Sequence, residues 1–282
     1  MKRSFNVIVG TSAFLLVVIA LVSWANLLSA DSPVVVYFGT PRDAIDYALS
    51  NSRELAVSAA KCLLTAVLGL ILAGVLATAL LIVGLLRPRW LGVIERLAAI
   101  SQTVPILVIV TIALIVETTI FHFLALSVPV TVYCIVPVTV GLLFPPLVNG
   151  ADAVSRLPLE LRALLRLWAA PIRWRVFRVY LPAALPSLLT GLRASATWAI
   201  SGTLITEGLL NGVEGDSSTL GHFLVRPFSS GDPGKMPSVI LISTILGFGV
   251  YYLFVLVQFA AERRLLGPAA KVAQTYPLQS DP

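Results

Sequence analysis

The feature that most constrains this chain is a series of long runs without a charged residue. Such runs cover 4–30, 62–86, 97–116, 123–151 and 236–261. A helix needs about 20 apolar residues to cross the hydrocarbon core of a bilayer, and each run reaches that length. A sixth stretch, 182–206, is apolar apart from Arg193, whose long side chain can reach the headgroup region from the end of a span. The sequence therefore predicts an all-α integral membrane protein with six transmembrane helices.

The composition agrees with a chain that lies mostly in a membrane. Hydrophobic residues make up 57% of the 282 residues and charged residues only 12%, whereas soluble domains carry about 25% charged residues. The net charge of +6 is better explained by basic cytoplasmic loops than by nucleic-acid binding. Cys62 and Cys134 fall in apolar runs without the spacing of metal ligands, so we expect no metal site and no cofactor.

The charge distribution predicts the orientation of the helices. With the N-terminus inside, fifteen of the twenty basic residues fall in cytoplasmic segments and nine of the fourteen acidic residues fall outside. Because Lys and Arg concentrate on the cytoplasmic side of membrane proteins, we expect both termini to lie inside. The first run is too long for the apolar part of a signal peptide, so we expect it to be retained as a helix.

A basic, leucine-rich loop separates the fourth apolar run from the apolar stretch 182–206. Over 154–193 the sequence is VSRLPLELRALLRLWAAPIRWRVFRVYLPAALPSLLTGLR. Pro158 suits the first position of a helix, and Pro171 disfavours the helical conformation for the residue before it. Between the two prolines, apolar residues recur at the spacing of one helix face. These are Leu161, Leu164, Leu165 and Trp168, with Arg162 and Arg166 on another face.

This pattern predicts a short amphipathic helix, a second basic segment and a membrane helix that opens at Pro182. On physical grounds two roles remain open for the amphipathic helix. It lies on anionic lipid headgroups with its Trp and Arg side chains as anchors, or it inserts its apolar face into a groove on a partner protein.

Several motifs resemble a known family. The segments FRVYLPAALP at 177–186 and LLTGLR at 188–193 resemble the end of the "EAA" loop in ABC-importer permeases of the sulfonate, taurine and nitrate type, which reads approximately R-V-V-L-P-A-A-L-P-x-I-L-T-G-L-R. The likeness continues through the tryptophan at 198 to Glu207 and on to ERRLL at 262–266. It covers about 55–267, and the LPAALP…TGLR block is its specific part.

The loop departs from the family pattern at its most characteristic positions. Counted back from Pro182, the signature glutamate falls on Ala163, the two alanines fall on Leu164 and Leu165, and the glycine falls on Ala169. Two explanations stay open. The loop docks through a more hydrophobic contact, or this subunit pairs with a second permease whose loop is regular.

The resemblance implies the function of a permease subunit in an ATP-driven importer. It implies a type I ABC-importer permease fold with a cytoplasmic coupling helix, in the bacterial inner membrane. The expected partners are a second permease subunit, two cytoplasmic ATPase subunits and an external substrate-binding protein. The chain has no P-loop, so we expect it not to be an enzyme itself. The solute is expected to be small, with anions among the candidates.

The resemblance also suggests a division of the chain and a coupling surface. We expect an N-terminal helix with a short external segment over 1–54, a permease core over 55–267 with the EAA-like loop at about 154–186, and a cytoplasmic tail over 268–282. The residues expected to couple to the ATPase are Leu161, Arg162, Leu164, Leu165, Arg166, Trp168 and Ala169.

Candidates for the translocation pathway are polar residues within the spans, which are costly unless they are functional or paired. They are Gln102, Thr103, Ser201, Thr203 and Glu207. The alternatives are that Glu207 lies on the surface at the external boundary, and that the hydroxyls bond the carbonyls of their own helix.

Other classes of protein fit the sequence less well. A secondary transporter should show repeated halves and intramembrane coupling charges, and we find no internal repeat. A membrane-embedded enzyme needs a catalytic cluster, and the two histidines are isolated with no catalytic motif nearby. A structural membrane subunit remains an alternative because the loop has lost its signature glutamate.

The charge asymmetry gives a test of topology. Single cysteines placed at Ser155 and at Ser32 should react with a membrane-impermeant maleimide from opposite sides, because the first lies in a predicted cytoplasmic loop and the second outside. Labelling of both positions from the same side would contradict the predicted topology of six spans.

Overall fold

The computed structural model describes residues 40–87, 89, 92–94, 96, 104, 106–124, 130–210, 219–225 and 235–275. The predicted first span, 4–30, lies outside this part of the chain, as do Gln102 and Thr103. The described elements are α1 (Pro41–Ser50), α2 (Ser52–Leu86), α3 (Ile106–Phe123), α4 (Val130–Ser155), α5 (Leu159–Leu167), α6 (Ile172–Arg175), a π-helix (Val176–Tyr180), α7 (Leu181–Leu210), α8 (Leu220–Val225) and α9 (Lys235–Thr275). Within these residues the fold is all-helical, as predicted.

Three of the described helices have the length and hydropathy needed to cross a membrane. They cover Ser52–Leu86, Val132–Ser155 and Lys235–Ala261, and a shorter apolar helix covers Leu107–Phe123. These four helices correspond to four of the predicted apolar runs. The six-span count and the orientation stay predictions.

The centre of the bundle is α7, which contains the apolar stretch 182–206 with Arg193. It packs against α4, α2, α9, α3 and α8. Its buried face is rich in small residues, including Gly191, Ser195, Ala196 and Ala199. In lipid, helices associate through close packing and interhelical hydrogen bonds rather than through burial of apolar surface from water. A central helix with a small-residue face therefore fits a membrane bundle.

Two hydrogen bonds connect the three innermost helices. The Ser195 hydroxyl in α7 donates to the carbonyl oxygen of Leu142 in α4 at 2.8 Å. The Thr139 hydroxyl in α4 donates to the carbonyl oxygen of Gly69 in α2 at 3.3 Å and also bonds within its own helix. Because these hydroxyls are buried, the bonds satisfy groups that would otherwise be costly in hydrocarbon.

The short segment that is predicted to lie outside the membrane contains α1. Thr40 and Asp43 form a reciprocal capping box at its N-terminus, and proline occupies the first turn. The Ser238 hydroxyl in α9 donates to the carbonyl oxygen of Ala44 at 2.7 Å, which holds α1 against the start of α9.

The expected division of the chain stays a prediction. Helix α2 begins at Ser52, three residues before the expected start of the core at 55. The last helix continues to Thr275, so the predicted tail over 268–282 begins within a helix.

The crossing of α7 and α4 depends on a glycine. A Cβ atom at Gly191 would lie 2.5 Å from the Cα of Pro146 and 2.6 Å from the carbonyl oxygen of Pro145, both in the backbone of α4. A Cβ at Gly202 in the same helix would meet no atom within 4 Å. A side chain at Gly191 would therefore push α7 and α4 apart, whereas a small side chain at Gly202 has room.

We expect opposite effects from the same substitution at these two positions. Gly191→Ala should destabilise the bundle by roughly 1–3 kcal/mol because backbone has to move. Gly202→Ala should stabilise it by up to about 1 kcal/mol, since alanine is the better helix former. Thermal unfolding of the two variants in detergent measures the difference. Equal stability of both variants would contradict the close crossing at Gly191.

Candidate functional site

The loop between α4 and α7 forms the predicted amphipathic helix. The helix begins at Leu159, directly after Pro158, and ends at Leu167, before Pro171. Ala169 follows with a φ of 47°, the left-handed conformation that often ends helices and that glycine adopts most easily. The helix therefore forms where it was predicted, but it ends about one turn before Pro171 and leaves Trp168 in the turn that follows.

The apolar face of α5 is divided between the bundle and the surface. Leu165 is 2% exposed, whereas Trp168 is 69% exposed. A residue buried within its own chain cannot insert into a partner, so the expectation that Leu165 belongs to the docking face is wrong for this structure. Leu159, Leu164, Leu167 and Trp168 are exposed. Of these, Leu164, Leu167 and Trp168 have the spacing of one helix face, and we call these three residues the coupling surface after their expected role.

Arg162 connects α5 to the bundle instead of standing at the rim of the coupling surface. Its guanidinium donates to the carbonyl oxygen of Val154 at 2.7 Å and to the carbonyl oxygen of Ser155. Both acceptors lie in the last turn of α4, whose final carbonyls have no partner within the helix. Arg162 therefore fixes the start of the loop to α4. The side chain of Arg166 lies outside the described residues, and Leu161 is half-buried.

The second basic segment forms one helical stretch with α7. The π-helix follows α6 directly and leads into α7, and the Leu181 amide donates to the Val176 carbonyl five residues back. Val176 is fully buried, but Trp174 and Phe177 are exposed. The sequence analysis described this stretch only as a basic segment. Their exposure adds apolar surface beside the loop, and such surface often marks an interaction site.

Glu207, a candidate pathway residue, is buried near the end of α7. It is 2% exposed, so the alternative that it lies on the surface is wrong. Its Oε2 accepts a hydrogen bond from the backbone amide of Gly221 in α8 at 2.9 Å. A Cβ at Gly221 would lie 2.5 Å from the carbonyl oxygen of Leu204, so glycine is needed for α8 to approach this closely. Glu207 thus links α7 to α8.

The hydroxyl candidates on α7 lie on different sides of the helix. Thr203 is buried and donates to the carbonyl oxygen of Ala199 at 2.9 Å, within its own helix. Ser201 is exposed. The neighbouring Thr206 is buried and donates to the Gly202 carbonyl at 2.8 Å. The alternative of bonding within the helix therefore describes both threonines.

A second buried carboxyl was missed by the sequence analysis. The third uncharged run ends at residue 116, but α3 continues to Phe123 and includes Glu117. Glu117 is 5% exposed, and its carboxyl oxygens have no hydrogen-bond partner among the described residues. Apolar residues follow Glu117 in the sequence, and a membrane helix can contain a single acid. The sequence could therefore have placed Glu117 within the third span.

The two carboxyl groups have a common neighbour in α4. Cys134 lies within electrostatic range of both Glu207 and Glu117, and Cys62 in α2 lies within range of Glu207 and Cys134. Cys134 lies near the start of α4 and Glu207 near the end of α7, away from the loop that joins these two helices. Among the described residues no group of three or more His, Cys, Asp or Glu side chains is arranged to hold a metal ion.

Comparisons with known proteins agree on one class. Residues 79–267, more than half of the chain, match the family described as "Binding-protein-dependent transport system inner membrane component". The chain is 28% identical over 267 residues to the formylaminopyrimidine transport permease protein ThiX of Halalkalibacterium halodurans, covering 88% of this chain and 93% of that one. It is also similar in fold to a chain of the MetNI methionine ABC transporter in an inward-facing conformation. That match has a TM-score of 0.54 and 18% identity, and it covers 74% of this chain and 94% of the other.

Proposed function

Because this chain belongs to the family of binding-protein-dependent transport system inner membrane components, we propose that it is the permease subunit through which an ATP-driven importer moves a small solute received from an external binding protein. It is a multi-pass transport permease of the inner membrane and not an enzyme, and ATP hydrolysis belongs to a separate subunit. A secondary transporter is not favoured, since the family consists of components of binding-protein-dependent systems.

The observation that carries this proposal is a rigidly held helix with an exposed apolar surface. The coupling surface projects from α5 while Leu165 and Arg162 fix the same helix to the bundle. An exposed aromatic anchor beside leucines is the arrangement with which helices enter grooves on partner proteins. The partner proposed here is the ATPase subunit. Two of them would act on two permease subunits, and a homodimer and a heterodimer are both compatible with this surface.

The loop is connected so that a push on α5 reaches the bundle. Arg162 ties the loop to the end of α4, and the helical stretch from Ile172 leads directly into α7. Packed helices move as rigid bodies, so a displacement of the loop turns or shifts α4 and α7 together. This supports a mechanism in which closure of the ATPase subunits changes which side of the membrane the pathway faces.

The proposed topology follows the predicted one, with six spans and both termini inside. It places the coupling surface in the cytoplasm and Glu117 and Glu207 near the external end. The basic residues around α5 and α6 support this orientation because they fall on one side of the bundle.

For the solute we propose a small organic compound of the aminopyrimidine kind, which the name of the ThiX relative suggests. The expectation of a sulfonate, taurine or nitrate permease, and hence of an anion, is the second candidate and rests on the EAA-like motif. Uptake of labelled formylaminopyrimidine and of taurine by the same reconstituted complex separates the two.

Trp168 is the residue whose loss should release the ATPase. Removing an aromatic anchor from an interface commonly costs about 2 kcal/mol or more of binding energy, whereas a charge at the rim mainly affects association rate. Trp168→Ala should therefore reduce the amount of ATPase that co-purifies in neutral detergent, while membrane insertion stays normal. Arg166→Ala should have a much smaller effect.

A second tryptophan provides the matched control. Trp198 is also exposed, but it lies within α7 in the proposed membrane region. Trp198→Ala should leave ATPase retention unchanged. If Trp168→Ala also retains the ATPase fully, and transport falls only in membranes poor in anionic lipid, the helix lies on lipid and the docking role is lost.

Glu207 gives a test of the pathway. The amide oxygen in Glu207→Gln can still accept the hydrogen bond from Gly221, so α8 should stay in place while the negative charge is removed. We expect impaired transport with normal assembly and near-normal basal ATP hydrolysis. Normal transport by this variant would show that Glu207 serves only to hold α8.

A further inference from the structure

A cavity of about 630 Å³ lies between α3 and α4. Its wall is apolar apart from Glu117, and it includes Ile112, Val116, Phe121, Val140 and Phe144. Cavities of roughly 300–1,000 Å³ with a mostly apolar wall and few polar groups are typical of small-molecule sites. A ligand of this cavity would therefore contact an apolar wall and the carboxyl group of Glu117.

The carboxyl group of Glu117 is the unusual part of this wall. Both of its oxygens are buried and have no hydrogen-bond partner among the described residues. Leaving a buried polar group unpartnered is costly, and an acid inside a membrane helix more so. The acceptor oxygens are therefore expected to meet a donor in a working state of the protein.

An aromatic pair stands beside the carboxyl group. Phe121 follows Glu117 by one helical turn, and its ring lies 5.0 Å from that of Tyr133 in α4, edge to face. The wall of the cavity therefore combines the aromatic surface of Phe121 and Phe144 with the carboxyl group of Glu117. A carboxyl group in such surroundings attracts N–H donors and cations and disfavours anions.

We propose that this cavity binds the transported solute and that the solute is a small planar nitrogen compound with N–H donors, such as an amidine or an amino-substituted heterocycle. An ionised carboxyl group accepts two parallel N–H bonds, and a protonated one pairs with one N–H and one ring nitrogen. The aromatic side chains provide surface for the ring of the solute. This inference rests on the proposed function, since the solute reaches the cavity only in a transporting assembly.

A lipid chain explains the cavity less well. An acyl chain would fill the apolar volume but would leave the Glu117 oxygens without a donor, so the cost of the buried carboxyl group would remain. A solute with N–H groups satisfies both the apolar wall and the acceptor.

Chemical labelling with two probes of the same shape and opposite charge tests the proposal. Dicyclohexylcarbodiimide reacts with carboxyl groups in apolar surroundings, and mass spectrometry of peptides locates the product. In the purified complex in lipid nanodiscs, benzamidinium should slow labelling of Glu117 several-fold, whereas benzoate should not. Equal protection by both probes, or protection by neither, would overturn the assignment.

Two variants separate a binding role from a structural one. Glu117→Gln should remove the protectable product while the two permease subunits still assemble. The control Glu54→Gln changes an exposed acid at the start of α2 and should leave the protection of Glu117 unchanged. If Glu117→Gln instead prevents assembly, a neighbouring subunit supplies the missing donor and the solute assignment fails. Failure of the proposed function is a different result, since the ATPase would then not co-purify with the unaltered chain.

Discussion

The close contact between α7 and α4 fixes the positions of the helices that carry the candidate residues. Lipid tails are as apolar as the side chains of a membrane helix, so two helices gain little by burying apolar surface against each other. Their relative position therefore depends on close backbone approach and hydrogen bonds. Gly191 allows the approach, and Ser195, about one turn later, donates to the Leu142 carbonyl. Because Gly191 and Ser195 lie on the same face of α7, their contacts with α4 fix the orientation of α7 about its own axis. This rotation places Glu207 inside the bundle and leaves Ser201 outside.

Local features of the sequence were enough to predict helix α5, but not which of its apolar residues are exposed. Prolines act on the backbone of adjacent residues, so Pro158 and Pro171 predicted the start of α5 and placed its end within about one turn. The spacing of Leu164, Leu165 and Trp168 indicated an apolar face without saying what covers it. The hydrogen bonds of Arg162 to the end of α4 turn Leu165 inward, and such tertiary contacts have no local sequence signal.

The buried acids show a similar limit. Three of the uncharged runs correspond to described helices that are long and apolar enough to cross a membrane, and a fourth corresponds to a shorter apolar helix. Counting uncharged runs treats an acid as the end of a span, and for this reason it missed Glu117 within α3. Glu207 was singled out from the sequence, but its partner, the amide of Gly221, lies in a helix that is close only in the folded chain. Which acid is paired and which is not depends on neighbouring helices.

The departures of the loop from the family pattern become intelligible on the structure. At Ala169 the backbone is left-handed, which costs roughly 1 kcal/mol for alanine and little for the glycine of the resembling family. The turn therefore forms with alanine in place of the preferred glycine. The buried Leu165 before the turn and Pro171 after it hold the turn in place.

Ala163, where the family has its signature glutamate, is exposed, and it lies on α5 next to Leu164 and four residues before Leu167. A glutamate there would put a charge beside the coupling surface, whereas alanine leaves an apolar surface. The exposed residues of α5 are therefore compatible with docking through a more hydrophobic contact, whichever permease subunit pairs with this chain.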